Sequence, residues 1–99
     1  MILFAIDDET AMLEELSRAI RAAEPNAEIH SFLLAKDALD AIAEQKVFPD
    51  VVFSDIEMPG TDGLSLAIKI KLLAPEAKIV FVTGYSQYAV EAYRNRING

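Results

Sequence analysis

Two apolar rhythms alternate along the chain. Dense runs fall at residues 2–6 (Ile-Leu-Phe-Ala-Ile), 51–54 (Val-Val-Phe-Ser) and 78–82 (Lys-Ile-Val-Phe-Val). Runs this short and this apolar suit strands covered on both faces. Residues 28–32 (Glu-Ile-His-Ser-Phe) alternate instead, as a less buried strand does. Between these runs the spacing changes to three and four. Leu13, Leu16 and Ile20 place a helix over 10–23, which Pro25-Asn26 ends. Ala35, Ala38, Leu39, Ile42 and Ala43 share one stripe of a helix over 35–45. Pro49 precedes the third strand, and residues 56–62 read as a loop around Met58-Pro59-Gly60. Asp62 is placed to cap a helix over 63–73. That helix is apolar on two stripes, Leu66/Ile70/Leu73 and Leu64/Ile68/Leu72, and Pro75 stops it. After the fourth strand, Ser86 caps a last helix reaching about Arg94, with Tyr88, Ala89, Ala92 and Tyr93 inward. The order βαβαβαβα predicts an α/β fold with a doubly wound parallel sheet and right-handed crossovers.

Composition bounds the rest. The 99 residues make one domain, and 53% hydrophobic content supplies a core. Sixteen acids against nine Lys and Arg leave a net charge of −7, which disfavours direct binding to a nucleic-acid backbone. There is no cysteine, so neither disulfides nor thiolate metal sites enter, and an intracellular setting is expected. No apolar run approaches the roughly 20 residues needed to cross a bilayer. Residues 2–6 are too short for a signal-peptide core and run straight into acids.

The candidate chemistry lies at the strand ends. Asp7 and Asp8 follow the first strand, Asp55 ends the third and Thr83 follows the fourth. In a parallel sheet these ends share one edge, and ligands bind open α/β sheets where the strand order reverses along it. Three carboxylates gathered there repel unless a cation sits among them, so a divalent cation with an incoming phosphoryl group is the simplest occupant. Each residue also has a plainer reading. Asp7, Asp8 and Glu9 suit the positive start of a helix, Asp55 suits a turn, and Thr83-Gly84 suits the start of a loop. His30, the only histidine, lies on the second strand away from this edge and reads as a strand surface residue. Tyr85, Tyr88 and Tyr93 read equally well as core or as a partner surface.

Three segments resemble bacterial two-component response-regulator receiver domains, a flavodoxin-like, CheY-like fold. They are Ala-Ile-Asp-Asp-Glu at 5–9, Phe-Ser-Asp-Ile-Glu-Met-Pro-Gly-Thr-Asp-Gly at 53–63, and Phe-Val-Thr-Gly-Tyr-Ser-Gln-Tyr-Ala-Val-Glu-Ala-Tyr at 81–93. The middle segment is the most specific. The third is similar to the subgroup that precedes LytTR-type DNA-binding domains. The resemblance implies that Asp55 is the phosphoacceptor and Thr83 the switch hydroxyl. It implies Mg²⁺ held by Asp8, Asp55 and the backbone carbonyl of Glu57, with Asp7 acting through a coordinated water. Implied partners are a histidine-kinase phosphodonor and an output domain, for transcription, outside this chain. The resemblance also implies a cytoplasmic setting and a signalling module rather than an enzyme.

The family pattern continues with a fifth strand ending in Lys-Pro and a fifth helix. Residues 1–99 therefore read as a C-terminally incomplete receiver, (βα)4 of the usual (βα)5. The fourth strand is then an open edge. Several hundred Å² of uncovered apolar surface would cost on the order of 10 kcal/mol, against a usual stability of about 5–15 kcal/mol. The expectation is a marginal monomer, a dimer through the fourth-strand edge or the last helix, or a piece of a longer protein. The alternative function is an interaction module without phosphoryl turnover. An aspartate-nucleophile phosphatase fits poorly, because Asp7 is followed at +2 by Glu9 rather than Asp.

Overall fold

A computed structural model describes residues 1–55, 57–58 and 61–82, the side chains of 57, 58 and 61–63 excepted. The elements in chain order are β1 (Ile2–Ile6), α1 (Thr10–Ala23), β2 (Glu28–Phe32), α2 (Ala35–Ala43), β3 (Val51–Asp55), β4 (Glu57–Met58), β5 (Thr61–Asp62), α3 (Gly63–Leu73) and β6 (Lys78–Val82). The main sheet has the order β2-β1-β3-β6, every pair parallel. Counting main-sheet strands alone, this is the 2-1-3-4 beginning of the flavodoxin-like order. The order reverses at β1. Its carboxyl end and that of β3 therefore flank the crevice where such sheets take ligands.

Alternation along the strands builds two cores. On one face Leu3, Ala5, Val51, Phe53 and Val82 meet Leu13, Leu16 and Ile20 of α1. On the other, Phe4, Ile6 and Val52 meet Ala38 and Ile42 of α2 and Leu66 and Ile70 of α3. Helices on both faces leave the central strands no solvent side, which is why their sequences are unbroken apolar runs. Each fully buried Leu, Ile or Phe contributes about 1.5–3 kcal/mol. At the amino edge Asp50 ties three strands together. Its carboxylate accepts from Ile2 N–H (2.8 Å), its own N–H donates to Ile2 C=O (2.7 Å), and its C=O accepts from Lys78 N–H (3.0 Å).

Within the described residues the strands and helices predicted from spacing are present, with three differences. The second helix ends at Ala43 rather than 45 because the chain turns into a left-handed conformation at Lys46 (φ 58°), and Val47 N–H then bonds Ala41 C=O. The stretch expected as a loop over 56–62 contains a short antiparallel ladder, with Glu57 opposite Asp62 and Met58 opposite Thr61. The sequence between the paired residues is Pro59-Gly60, two turn-forming residues. The two apolar stripes of α3 also separate. Leu66 and Ile70 are buried, whereas Leu64, Ile68 and Leu72 are 63%, 63% and 77% exposed; Leu73, at the end of the first stripe, is exposed too. Thr83, the helix expected over 86–94 and the three tyrosines lie outside the described residues, as does the side chain of Asp62.

Candidate functional site

Backbone pairing sets the site. Beyond Ile6, the N–H of Asp7 still donates to Phe32 C=O (3.2 Å), so Asp7 continues β1 before the chain turns into α1. Glu9 is the N-cap residue of α1 and makes no side-chain cap bond. Its N–H donates to Asp7 Oδ1 at 2.9 Å, a local Asx turn that orients the Asp7 carboxylate. The acids at 7–9 thus lie before the first turn of α1, which itself holds no acid. On the neighbouring strand, Ser54 is buried and its hydroxyl donates to Asp55 C=O at 3.1 Å, holding the end of β3. Asp55 closes β3 in register with Val82, the last residue of β6.

This brings three of the residues singled out from sequence together. Asp7, Asp8 and Asp55 each offer a carboxylate oxygen, and these oxygens lie within 4.8 Å of one another. Asp7 is only 6% exposed, Asp55 is half-buried and Asp8 is exposed. The site therefore grades from a dry floor to an open mouth. Burial pushes the Asp7 carboxyl above its ordinary value, the Glu9 N–H bond opposes that rise, and the charges of Asp55, Asp8 and Glu9 add to it. A buried carboxylate beside two like charges gains most from a cation. An all-oxygen donor set suits a hard divalent ion over a soft one.

Glu57 follows two residues after Asp55 with its backbone in β4, while Thr83 cannot be placed because it lies outside the described residues. His30 is a partly exposed residue of β2, in keeping with the strand surface position read from the sequence. It bonds Glu28 at 2.7 Å, stacks on Phe32 at 6.5 Å between ring centroids and meets the ring of Phe4 edge-on. Sequence reasoning also passed over Ser54 and Asp50, both of which fix strand ends by hydrogen bonds rather than by chemistry. Among the described residues no helix is long and apolar enough to cross a membrane.

Known proteins agree with this arrangement. The sensory transduction protein LytT of Bacillus subtilis is 32% identical, the match covering 89% of this chain and 36% of that protein. A response regulatory protein of Yersinia pestis is 43% identical, with 89% of this chain and 36% of that protein covered. The chain thus spans about a third of the length of these relatives. The receiver domain of the hybrid histidine kinase CckA superposes with a TM-score of 0.75 at 25% identity, covering 99% of this chain and 96% of that one. Residues 3–99 match the description of a response regulator receiver domain. With the parallel sheet, the strand order and the acidic crevice already in place, the chain belongs to the response regulator receiver domain family.

Proposed function

We infer that this receiver accepts a phosphoryl group on Asp55 from a histidine-kinase phosphodonor. The observation that supports this most is the convergence of Asp7, Asp8 and Asp55 on a space of 4.8 Å at the reversal of strand order. One oxygen of Asp55 attacks phosphorus, the bond from phosphorus to the donor nitrogen breaks, and its electron pair stays on that nitrogen. The product is an acyl phosphate. Phosphoryl transfer asks mainly for in-line positioning and charge neutralisation. Asp8, Asp55 and the Glu57 backbone carbonyl would hold a Mg²⁺ ion in this reading, and Asp7 would act through a water on it. When bound, the ion offsets the repulsion among the acids and stabilises charge on the transferring oxygens. Asp7, held by Glu9 N–H and Phe32 C=O, keeps one wall of the site fixed as the charge moves.

Thr83 is the hydroxyl that follows phosphorylation, and the region of the helix expected over 86–94 is the surface that changes. A cytoplasmic setting and a transcriptional output domain beyond residues 1–99 complete the reading, which has the chain signal rather than turn over substrate. The length of the LytT and Yersinia relatives leaves room for such a domain. Dimers would form through the β6 edge or that same helix region.

Incubation with acetyl phosphate and Mg²⁺, read by intact mass, tests the assignment. The expected result is a gain of one phosphoryl group that Asp55→Asn abolishes and EDTA prevents. No gain in the parent chain, with the fold intact by circular dichroism, would leave the interaction module without turnover as the function. A gain that persists in Asp55→Asn would move the phosphoacceptor elsewhere.

A further inference from the structure

The edge at β2 carries a second site. β2 pairs with β1 only, and no described strand lies beyond it. Glu28 N–H donates to Met1 C=O, and Phe32 C=O accepts from Asp7 N–H. The backbone groups of residues 28, 30 and 32 therefore point towards β1. Successive residues of a strand direct these groups to opposite sides, so the amides and carbonyls of Ile29 and Ser31 face outward.

The same two residues line a trough of about 560 Å³ between this edge and α1, together with Ser17, Arg18, Arg21 and Ala22. It runs on into a second hollow of about 430 Å³ that shares Ser17, Arg18 and Ser31 and reaches Leu13, Glu14 and Leu33. Its floor is held by the Ser17–Ser31 hydroxyl bond at 2.7 Å. Arg21 donates to Ala27 C=O at 3.0 Å and so stands fixed over one end. Arg18 is exposed and has no ion-pair partner among the described residues. In a chain of net charge −7, two arginines beside an outward-facing ladder form a local site for negative charge.

We propose that this edge binds an acidic extended peptide of a partner protein by strand addition. The peptide pairs with the outward groups of Ile29 and Ser31 and lays alternate carboxylates against Arg18 and Arg21. Main-chain pairing supplies affinity and alternate side chains supply specificity in this mode. Glu14 at the far end of the trough disfavours an acid there, which sets where the carboxylates fall. A second copy of this chain is the poorer occupant. Paired edge to edge, it would bring Ile29 and Ser31 rather than acids into the trough and set Arg18 and Arg21 against their own copies. The site uses none of the carboxylates at the crevice, so it stands or falls apart from phosphorylation.

The test uses the full chain and three fluorescein-labelled heptapeptides. One alternates Val and Glu, one alternates Val and Lys, and one is the Val–Glu peptide with N-methylated backbone amides. Anisotropy gives affinity, and NMR amide exchange gives the place. The Val–Glu peptide is expected to bind, to slow exchange at the Ile29 and Ser31 amides, and to lose roughly tenfold in affinity with Arg18→Glu. That variant is expected to gain the Val–Lys peptide, and the N-methylated peptide is expected not to bind. No binding of Val–Glu, equal binding of the two charge types, tight binding of the N-methylated peptide, or indifference to Arg18→Glu would each overturn the proposal. So would slowing of Ile29 and Ser31 exchange by protein concentration alone, which would make the edge a self-association surface.

Discussion

The carboxylate of Asp55, at the end of β3, adds to the cost of ionising Asp7 at the end of β1. Burial is the larger cause, and the two together raise the pKa of Asp7 in the folded protein. The stability associated with this group is therefore fully present below its ordinary pKa, 3.8, and is lost as pH rises through the folded value. Asp7→Asn should raise the melting temperature of the metal-free domain at pH 7 and cease to do so below pH ~4. Mg²⁺ should stabilise the parent strongly and the variant less. Thermal melts across pH, with Mg²⁺ and with EDTA, check both statements. An Asp7→Asn protein that melts lower than the parent at pH 7 without metal would contradict them.

Helix α3 offers a contrast inside one element. Ile70 is fully buried in the core against α2 and the sheet, and Ile68 is 63% exposed. Ile70→Ala should cost about 2–5 kcal/mol through lost burial and the cavity left behind. Ile68→Ala should stay within about 0.5 kcal/mol of the parent. Urea denaturation of the two variants measures the difference. Similar losses for both would mean that the exposed stripe is covered in solution.

Lys46 sits in the left-handed region at φ 58° without being glycine. A side chain there costs about 1–2 kcal/mol, and glycine returns about 0.5–1 kcal/mol of that as chain entropy in the unfolded state. Lys46 also bonds Ala43 C=O through Nζ at 3.0 Å, an exposed contact of small worth. Lys46→Gly should therefore stabilise by about 0.5–1 kcal/mol, a rise of a few degrees in Tm. Differential scanning calorimetry reads this directly.

Asp50 is the residue whose loss the amino edge should feel most. Asp50→Ala removes the acceptor for Ile2 N–H and should cost about 0.5–1.5 kcal/mol. Asp50→Asn keeps an oxygen in place and should recover most of it. Amide exchange at Ile2 should quicken in the alanine variant alone.

Periodicity alone determined the order of the four main-sheet strands and the three helices between them. Strands buried on both faces have no polar register to keep, so β1 and β3 read as apolar runs; β6 reads the same way although it is only partly buried. Helix α1 buries the stripe its spacing predicts, Leu13/Leu16/Ile20; in α2 Ala38 and Ile42 are buried as predicted, but Ala43 is exposed and Ala41 is buried instead. The acidic site was legible for a related reason. In a parallel sheet every strand ends at the same edge, so Asp7, Asp8 and Asp55 had only to follow two neighbouring apolar runs, β1 and β3, to be brought near one another.

Tertiary structure decided what local pattern leaves equal. Both stripes of α3 are apolar, and only its seat against α2 and the sheet chose Leu66 and Ile70 for the core. The ladder of β4 and β5 joins residues too few to show a period. Asp7 appeared from sequence as one acid among three, and only its depth below Asp8 and Asp55 made it the group that pays most for its charge. The trough at Arg18 exists because β2 has a neighbour on one side alone among the described strands. Strand order arises from contacts between segments far apart in the chain, and no stretch of five residues carries that information.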